Sequence, residues 1–348
     1  MKHRQAAVIL LAAALILSAC ATTPDAAASA AEAGTSMRIA DLTPVNLADG
    51  ERLRVVATTN LAADVLANIG GDDIQLTALL PIGADPHSFT PAPRDLQAVA
   101  DADVLFVNGF GLEEGLADTL AQVAKDIPIL SLSEGIEPRA FQFELAHEDD
   151  HDVGEEHVGE EHVGEEHEHT GADPHVWFNP LNVSIWADNA ARALGALDPA
   201  HASNYAANAA VYQTELVSLD AWIVEQMDPI PADERRMVTD HGAFGYFADR
   251  YGVEIIGAVI PAYSTTASPS PQDIADLLAA IEAYEVRAVF VGVSVNPTLA
   301  ERVSEDAGIE LVPLYTGALS GPDGPANTYL DLMRYNVGAI ADALRGEE

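Results

Sequence analysis

From Arg52 onward the chain carries two series of short β-branched and apolar runs, each run separated from the next by a helical pattern, and this alternation sets the fold class. Such alternation signifies parallel strands, because a parallel connection must cross back over the sheet and a helix is the usual crossover. The first series places strands at 53–58, 74–80, 104–108 and 127–132, with helices at 61–69, 95–100 and 114–124. The second places strands at 236–239, 254–259, 288–293 and 310–314, with helices that include 271–284 and 297–307. Between them an Ala-rich stretch, 199–227, has the length and composition of one continuous helix. The expectation is an α/β protein of two α/β lobes with parallel-type sheets, joined by a long rigid backbone helix. About three hundred residues suffice for two lobes, each with its own core. A ligand would sit in the cleft between them, against loops at strand C-terminal ends.

The N-terminus differs in kind. MKHRQAAVILLAAALILSAC is a basic tip, an apolar run too short for a membrane span, and Leu17-Ser18-Ala19-Cys20, the layout of a cleaved secretory signal. Its ending resembles the bacterial lipobox, in which the Cys, here Cys20, is acylated and becomes the mature N-terminus. Cys20 is the only cysteine, so the mature chain has no internal disulfide and no thiolate site, and any metal must be held by His, Asp or Glu. Residues 21–50, rich in Ala, Thr, Ser and Asp, read as a flexible tether. The expected layout is a signal peptide at 1–20, the tether at 21–50, an N-terminal lobe at 51–198, a linking helix at 199–228 and a C-terminal lobe at 229–348.

Acidic residues number 55 against 16 basic ones, for a net charge of -39. A surface of that sign excludes nucleic acid and an anionic membrane surface as partners and favours cations. General surface acidity also suits a protein secreted into a salty habitat, so charge alone does not make a metal site.

Histidine is more informative. Val-Gly-Glu-Glu-His occurs three times in succession, ending at His157, His162 and His167, with His147, His151 and His169 around it. Nothing in 147–169 can form a packed core, so a disordered loop is expected, acting as an auxiliary, weak, multi-site metal chelator. Outside it lie His3 in the signal, His201, and then His87, His175 and His241. The last three sit where a predicted element ends or begins: His87 between Pro86 and Pro91, His175 in Asp173-Pro-His-Val-Trp-Phe-Asn-Pro, and His241 directly after a strand. Rigid loop histidines make a preorganised site, because they lose less entropy when a metal arrives.

From about Arg52 to the C-terminus the chain resembles the cluster A-I substrate-binding proteins (cluster 9, or TroA-like) of zinc and manganese ABC importers. The resemblance rests on Ala-Asp-Pro-His87-Ser-Phe-Thr-Pro followed by Asp95-Leu96; on Asp173-Pro-His175-Val-Trp-Phe-Asn-Pro; on His241-Gly-Ala-Phe-Gly-Tyr-Phe followed by Tyr251-Gly; and on Asn327-Thr-Tyr329-Leu-Asp-Leu-Met-Arg-Tyr-Asn336. It implies a metal held between two lobes by His87, His175 and His241, with a backbone helix limiting lobe movement and an ABC membrane permease receiving the metal. A fourth family ligand is commonly an Asp where this chain has Gly317, and another position that is often acidic is Gly292. Water, a residue of the His-rich loop or Asp323 can then complete the shell.

Three neutral nitrogens without a fixed carboxylate suit zinc better than manganese, which prefers more oxygen ligands. The expected function is extracytoplasmic capture of zinc by a monomer, lipid-anchored to a bacterial membrane at the cell surface or in the periplasm. The alternatives are manganese or another transition metal in the same transporter role, and a metal-binding surface adhesin. A zinc hydrolase would need a general base beside the metal-bound water; Asp240 is adjacent to His241, but no zincin helix motif accompanies it, and the chain reads as a non-enzyme.

Overall fold

The computed structural model describes residues 37–140 and 171–346. Two four-stranded, wholly parallel sheets form the framework. In the first, β1 (Leu53–Ala57) pairs with β2 (Ile74–Ala78) and β3 (Val104–Val107), and β3 pairs with β4 (Ile129–Ser131), giving the order β2-β1-β3-β4. In the second, β5 (Arg236–Thr239) lies between β6 (Glu254–Ala258) and β7 (Ala288–Gly292), with β8 (Glu310–Leu314) outermost, so the order β6-β5-β7-β8 repeats the first.

Helices cover both faces of each sheet, so on central strands such as β3 and β7 residues of either parity are buried. On β3, Val104 and Phe106 join one core while Leu105 joins another; on β7, Ala288 and Phe290 separate from Val289 and Val291 in the same way. Near-continuous apolar runs such as Val-Leu-Phe-Val follow from this two-sided burial.

The lobes do not each keep a wholly separate core, as the sequence suggests. One continuous cluster takes Leu53, Val55 and Phe106 from the first sheet and Met237, Phe290 and Leu314 from the second. The helices make this union: α1 (Asn60–Gly70), α4 (Pro180–Leu197), α5 (Ala202–Met227), α6 (Gly245–Tyr251) and α9 (Tyr329–Arg345) all contribute buried residues to it. Only the outer faces have private cores, around Val56 and Leu105 in one lobe and Val238 and Val289 in the other.

Helix α5 is the long linking helix. Its buried stripe, Tyr205, Ala209, Tyr212, Leu216, Leu219, Ile223 and Met227, recurs every three or four residues and lies against the shared core. At 26 residues it spans about 39 Å. It starts at Ala202 rather than 199 because α4 ends at Leu197 and Pro199 cannot continue a helix.

Residues 37–50, expected as part of a flexible tether, are instead packed in part against the body. Ile39 is buried, Leu42, Val45 and Leu47 pack against the core, the Met37 N–H donates to the Ile129 carbonyl at 2.8 Å, and the Val45 N–H donates to that of Leu197 at 2.8 Å. These apolar residues have no helical or strand period, yet they pack as an irregular strap, so the folded body includes residues well before Glu51. The expected signal with Cys20 and His3, and the His-rich segment 147–169, lie outside the described residues. Among the described residues no helix is long and apolar enough to cross a membrane.

Candidate metal-binding site

His87, His175 and His241 reach one point from three loops. His87 lies between β2 and α2 (Pro93–Ala100), His175 directly before the short turn Val176–Phe178 that leads into α4, and His241 two residues after β5. The first and third loops leave the C-terminal ends of parallel strands, where open α/β sheets place ligands. The His87 Nε2 atom is 3.1 Å from His175 Nε2, and His241 Nε2 is 3.3 Å from the same atom. Ligand atoms of all three lie within 4.8 Å of one another, and among the described residues this is the one such group of three metal-ligating side chains. For a metal–nitrogen bond of 2.0–2.1 Å and tetrahedral angles, adjacent nitrogens should be about 3.3 Å apart. The two short separations match that distance closely enough to hold one ion.

The opposite ring nitrogens set the tautomers. His175 Nδ1 is 2.9 Å from Asp173 Oδ1, and His241 Nδ1 is 2.8 Å from Asp240 Oδ1. A carboxylate at Nδ1 fixes the proton there and leaves the Nε2 lone pair directed at the cluster, which is the arrangement of a metal-ligating histidine. Asp240 Oδ2 is held in turn by the Gly292 N–H at 2.8 Å. Asp173 Oδ2 is buried without a hydrogen bond, and its nearest cation is the Arg139 guanidinium at 4.0 Å.

Burial, followed by the neighbouring imidazoles, drives His87 down to about 2, and burial holds His175 well below the usual histidine value. Both therefore present neutral rings. His241 is raised: burial opposes its charge, but the adjacent Asp240 carboxylate outweighs that penalty. Asp240 is correspondingly lowered, burial being overcome by His241 and by the backbone N–H groups it accepts. Burial pushes Asp173 up to about 7, with Arg139 offsetting part of the rise.

Asp85 lines the site and is hydrogen-bonded through both oxygens. Its Oδ1 accepts the His87 N–H at 3.0 Å, and its Oδ2 accepts from Ser88 Oγ at 3.0 Å and Thr265 Oγ1 at 2.5 Å. Gly317 also lines the site, whereas Asp323 is exposed in the turn closed by the Gly324 N–H to the Gly321 carbonyl and lies outside the histidine group. His201 is apart from the site, at the start of α5, where its Nδ1 is 2.7 Å from Asp198. The orienting roles of Asp173 and Asp240 are not assigned by the sequence reading. Their signal is visible in it, an Asp two residues before His175 and one before His241.

A set of three converging imidazoles, two buried and one half-buried, between two α/β lobes fits a metal-binding protein of the two-lobed substrate-binding class. A family described as zinc-uptake complex component A, periplasmic, matches residues 55–343, and the chain belongs to it. It is thus an extracytoplasmic metal-binding protein of the ABC-transporter substrate-binding kind. Among curated relatives it is 32% identical to the manganese-binding lipoprotein MntA of Halalkalibacterium halodurans, over 85% of this chain and 90% of that one. It is 31% identical to the iron ABC transporter substrate-binding lipoprotein MtsA of Streptococcus pyogenes serotype M1, over 87% and 92%. Among solved structures, the periplasmic zinc-binding protein TroA from Treponema pallidum superposes with a TM-score of 0.73 at 25% identity, covering 84% of this chain and 99% of that one.

Proposed function

We propose that the protein captures zinc at His87, His175 and His241 and delivers it to an ABC import permease. The observation that carries this reading is the convergence of three Nε2 atoms, those of buried His175 and His241 and of half-buried His87, the first two with a carboxylate at Nδ1. Neutral nitrogens with no free carboxylate beside them favour zinc, which accepts a four-coordinate nitrogen-rich shell, over manganese, which takes more oxygen ligands. Manganese or iron is the second reading, favoured by the names of the relatives MntA and MtsA.

In this reading Cys20 carries the lipid that keeps the monomer at the membrane, and the histidines of 147–169 gather metal weakly near the tight site. The roots of that segment bear on the geometry: Ala140 and Ala172 form an antiparallel bridge, three residues before His175.

Calorimetric titration of the protein with zinc and with manganese tests the assignment. One tight zinc site is expected, retained when 147–169 is deleted and lost in His87→Ala and His241→Ala. Tight binding that survives both substitutions overturns the site, and manganese binding tighter than zinc overturns the choice of metal.

A further inference from the structure

The Gly317 Cα faces Pro86 across the interlobe cleft. A Cβ built on Gly317 would lie 2.6 Å from Pro86 Cδ and 2.9 Å from Pro86 Cγ, closer than carbon atoms approach. Gly317 does not have the positive φ that requires glycine elsewhere in the chain, such as Gly252 and Gly308. What demands glycine at 317 is therefore space, not conformation. Pro86 precedes the ligand His87, and Gly317 follows β8 of the opposite lobe, so this contact sets how closely the His87 loop approaches His175 and His241.

The same contact decides the donor set. Position 317 lines the site, and the pyrrolidine ring of Pro86 fills the volume into which a side chain there would project. Gly292 is filled in the same manner, since its Cβ would meet Thr316 Oγ1 and lie 3.2 Å from Asp240 Oδ2. Of the carboxylates around the histidines, Asp85 is committed to His87, Ser88 and Thr265, Asp173 to His175, and Asp240 to His241 and Gly292. Among the described residues Asp85 is the one carboxylate lining the site, and both of its oxygens are already held by hydrogen bonds.

Resting on the metal-capture reading, we infer that Pro86 and Gly317 form a steric pair that excludes a fourth ligand side chain at position 317 and so determines metal choice. The ring of Pro86 takes the place of a coordinating side chain. The ion is then held by three nitrogens plus an exchangeable solvent ligand, a set that suits zinc and starves manganese of oxygen donors.

Zinc and manganese titrations of the full protein, with metal-free thermal unfolding as the check on folding, test the pair. Gly317→Ala is expected to weaken zinc at least tenfold, and Pro86→Ala/Gly317→Ala to recover to within about threefold of the wild type, because replacing Pro86 by alanine removes the clashing Cγ and Cδ. Gly317→Asp alone should lose zinc without gaining manganese, whereas Pro86→Ala/Gly317→Asp should gain manganese affinity at least tenfold over Pro86→Ala. Wild-type zinc affinity in Gly317→Ala overturns the inference, as does a folded double variant that recovers nothing. If Gly317→Ala does not fold, the comparison within the Pro86→Ala background decides, and no gain of manganese there overturns it. A wild-type protein that binds neither metal refutes the metal-capture reading instead, so the two failures are distinguishable.

Discussion

Asp173 meets His175 twice through one oxygen: Oδ1 accepts the backbone N–H at 3.0 Å and lies 2.9 Å from Nδ1 of the ring. Asp240 does the same for His241, at 2.8 Å in both contacts. Asp85 has only the backbone contact to His87. The three aspartates therefore differ in what they control. Asp173 and Asp240 fix a ring and its tautomer, while Asp85 fixes a turn. Removing a carboxylate behind a metal-ligating histidine typically costs 10–100-fold in affinity. Asp173→Ala and Asp240→Ala are each expected to weaken metal by about that factor, and Asp85→Ala by less than about tenfold. Equal losses in all three, by competition with a zinc-binding dye, would contradict the distinction.

Any proton that metal binding displaces from the three rings should come from His241 and not from His87 or His175. His87 and His175 are held neutral by burial, so an arriving cation displaces nothing from them. His241 is raised by Asp240 and keeps its proton above the ordinary histidine range, so metal must compete for its Nε2. Lower pH strengthens the proton in that competition, and affinity should fall as pH drops through the raised His241 value. Calorimetry in buffers of different ionisation enthalpy measures the release directly. Asp240→Asn, which removes the charge that holds the proton, should reduce the release at pH 7.

Much of this site is legible in the sequence, and the reason is local. His87, His175 and His241 sit in short, rigid contexts where proline, aromatic and strand-end residues mark a loop, so position and preorganisation can be read together. The strand series is equally legible, because central runs such as β3 and β7 are buried on both faces without a polar interruption; β5 and β8 occupy the expected residues, and the others shift only at their ends. Long-range packing is what the sequence hides. That Gly317 faces Pro86, that Gly292 makes room for Thr316 and Asp240, and that the two lobes share one core depend on residues far apart in the chain. The strap at 37–49 is hidden for another reason, since packing without a period leaves no pattern to detect.

Arg139 ties the lobes together beside the site. Its backbone N–H donates to the Tyr246 hydroxyl at 3.0 Å, its Nε donates to Asp249 on α6 at 2.9 Å, and its guanidinium is the cation nearest the buried Asp173 Oδ2. Gly245 makes this approach available, because a Cβ there would meet Arg139 Nη1 and Asp173 Oδ2 at 2.5 and 2.6 Å. Arg139→Met should destabilise the metal-free protein by about 1–3 kcal/mol by stripping a buried carboxylate of its counter-charge. Asp249→Asn should cost less than about 1 kcal/mol, since Asp249 is largely exposed. Urea unfolding of both variants tests the ranking, and a larger loss for Asp249→Asn would reverse the assignment.

Asp64 on α1 holds the start of α9, accepting the Tyr329 N–H at 2.9 Å, and burial raises it from the ordinary 3.8 to about 6. A carboxyl raised in the folded state binds more protons there than in the unfolded chain between those two values. Its contribution to stability therefore falls as pH rises from about 4 to about 6, and above that the buried charge is a fixed cost. Asn at this position cannot ionise, and its side-chain oxygen can still accept from Tyr329. Asp64→Asn should thus be more stable than the wild type above pH 6, by on the order of 1–2 kcal/mol after allowance for partial exposure. At pH 4, where Asp64 is already protonated, the two proteins should melt together. Denaturation curves at pH 4 and pH 7.5 measure both limbs, and a variant less stable than the wild type at pH 7.5 would mean that the charged hydrogen bond to α9 outweighs the cost of burial.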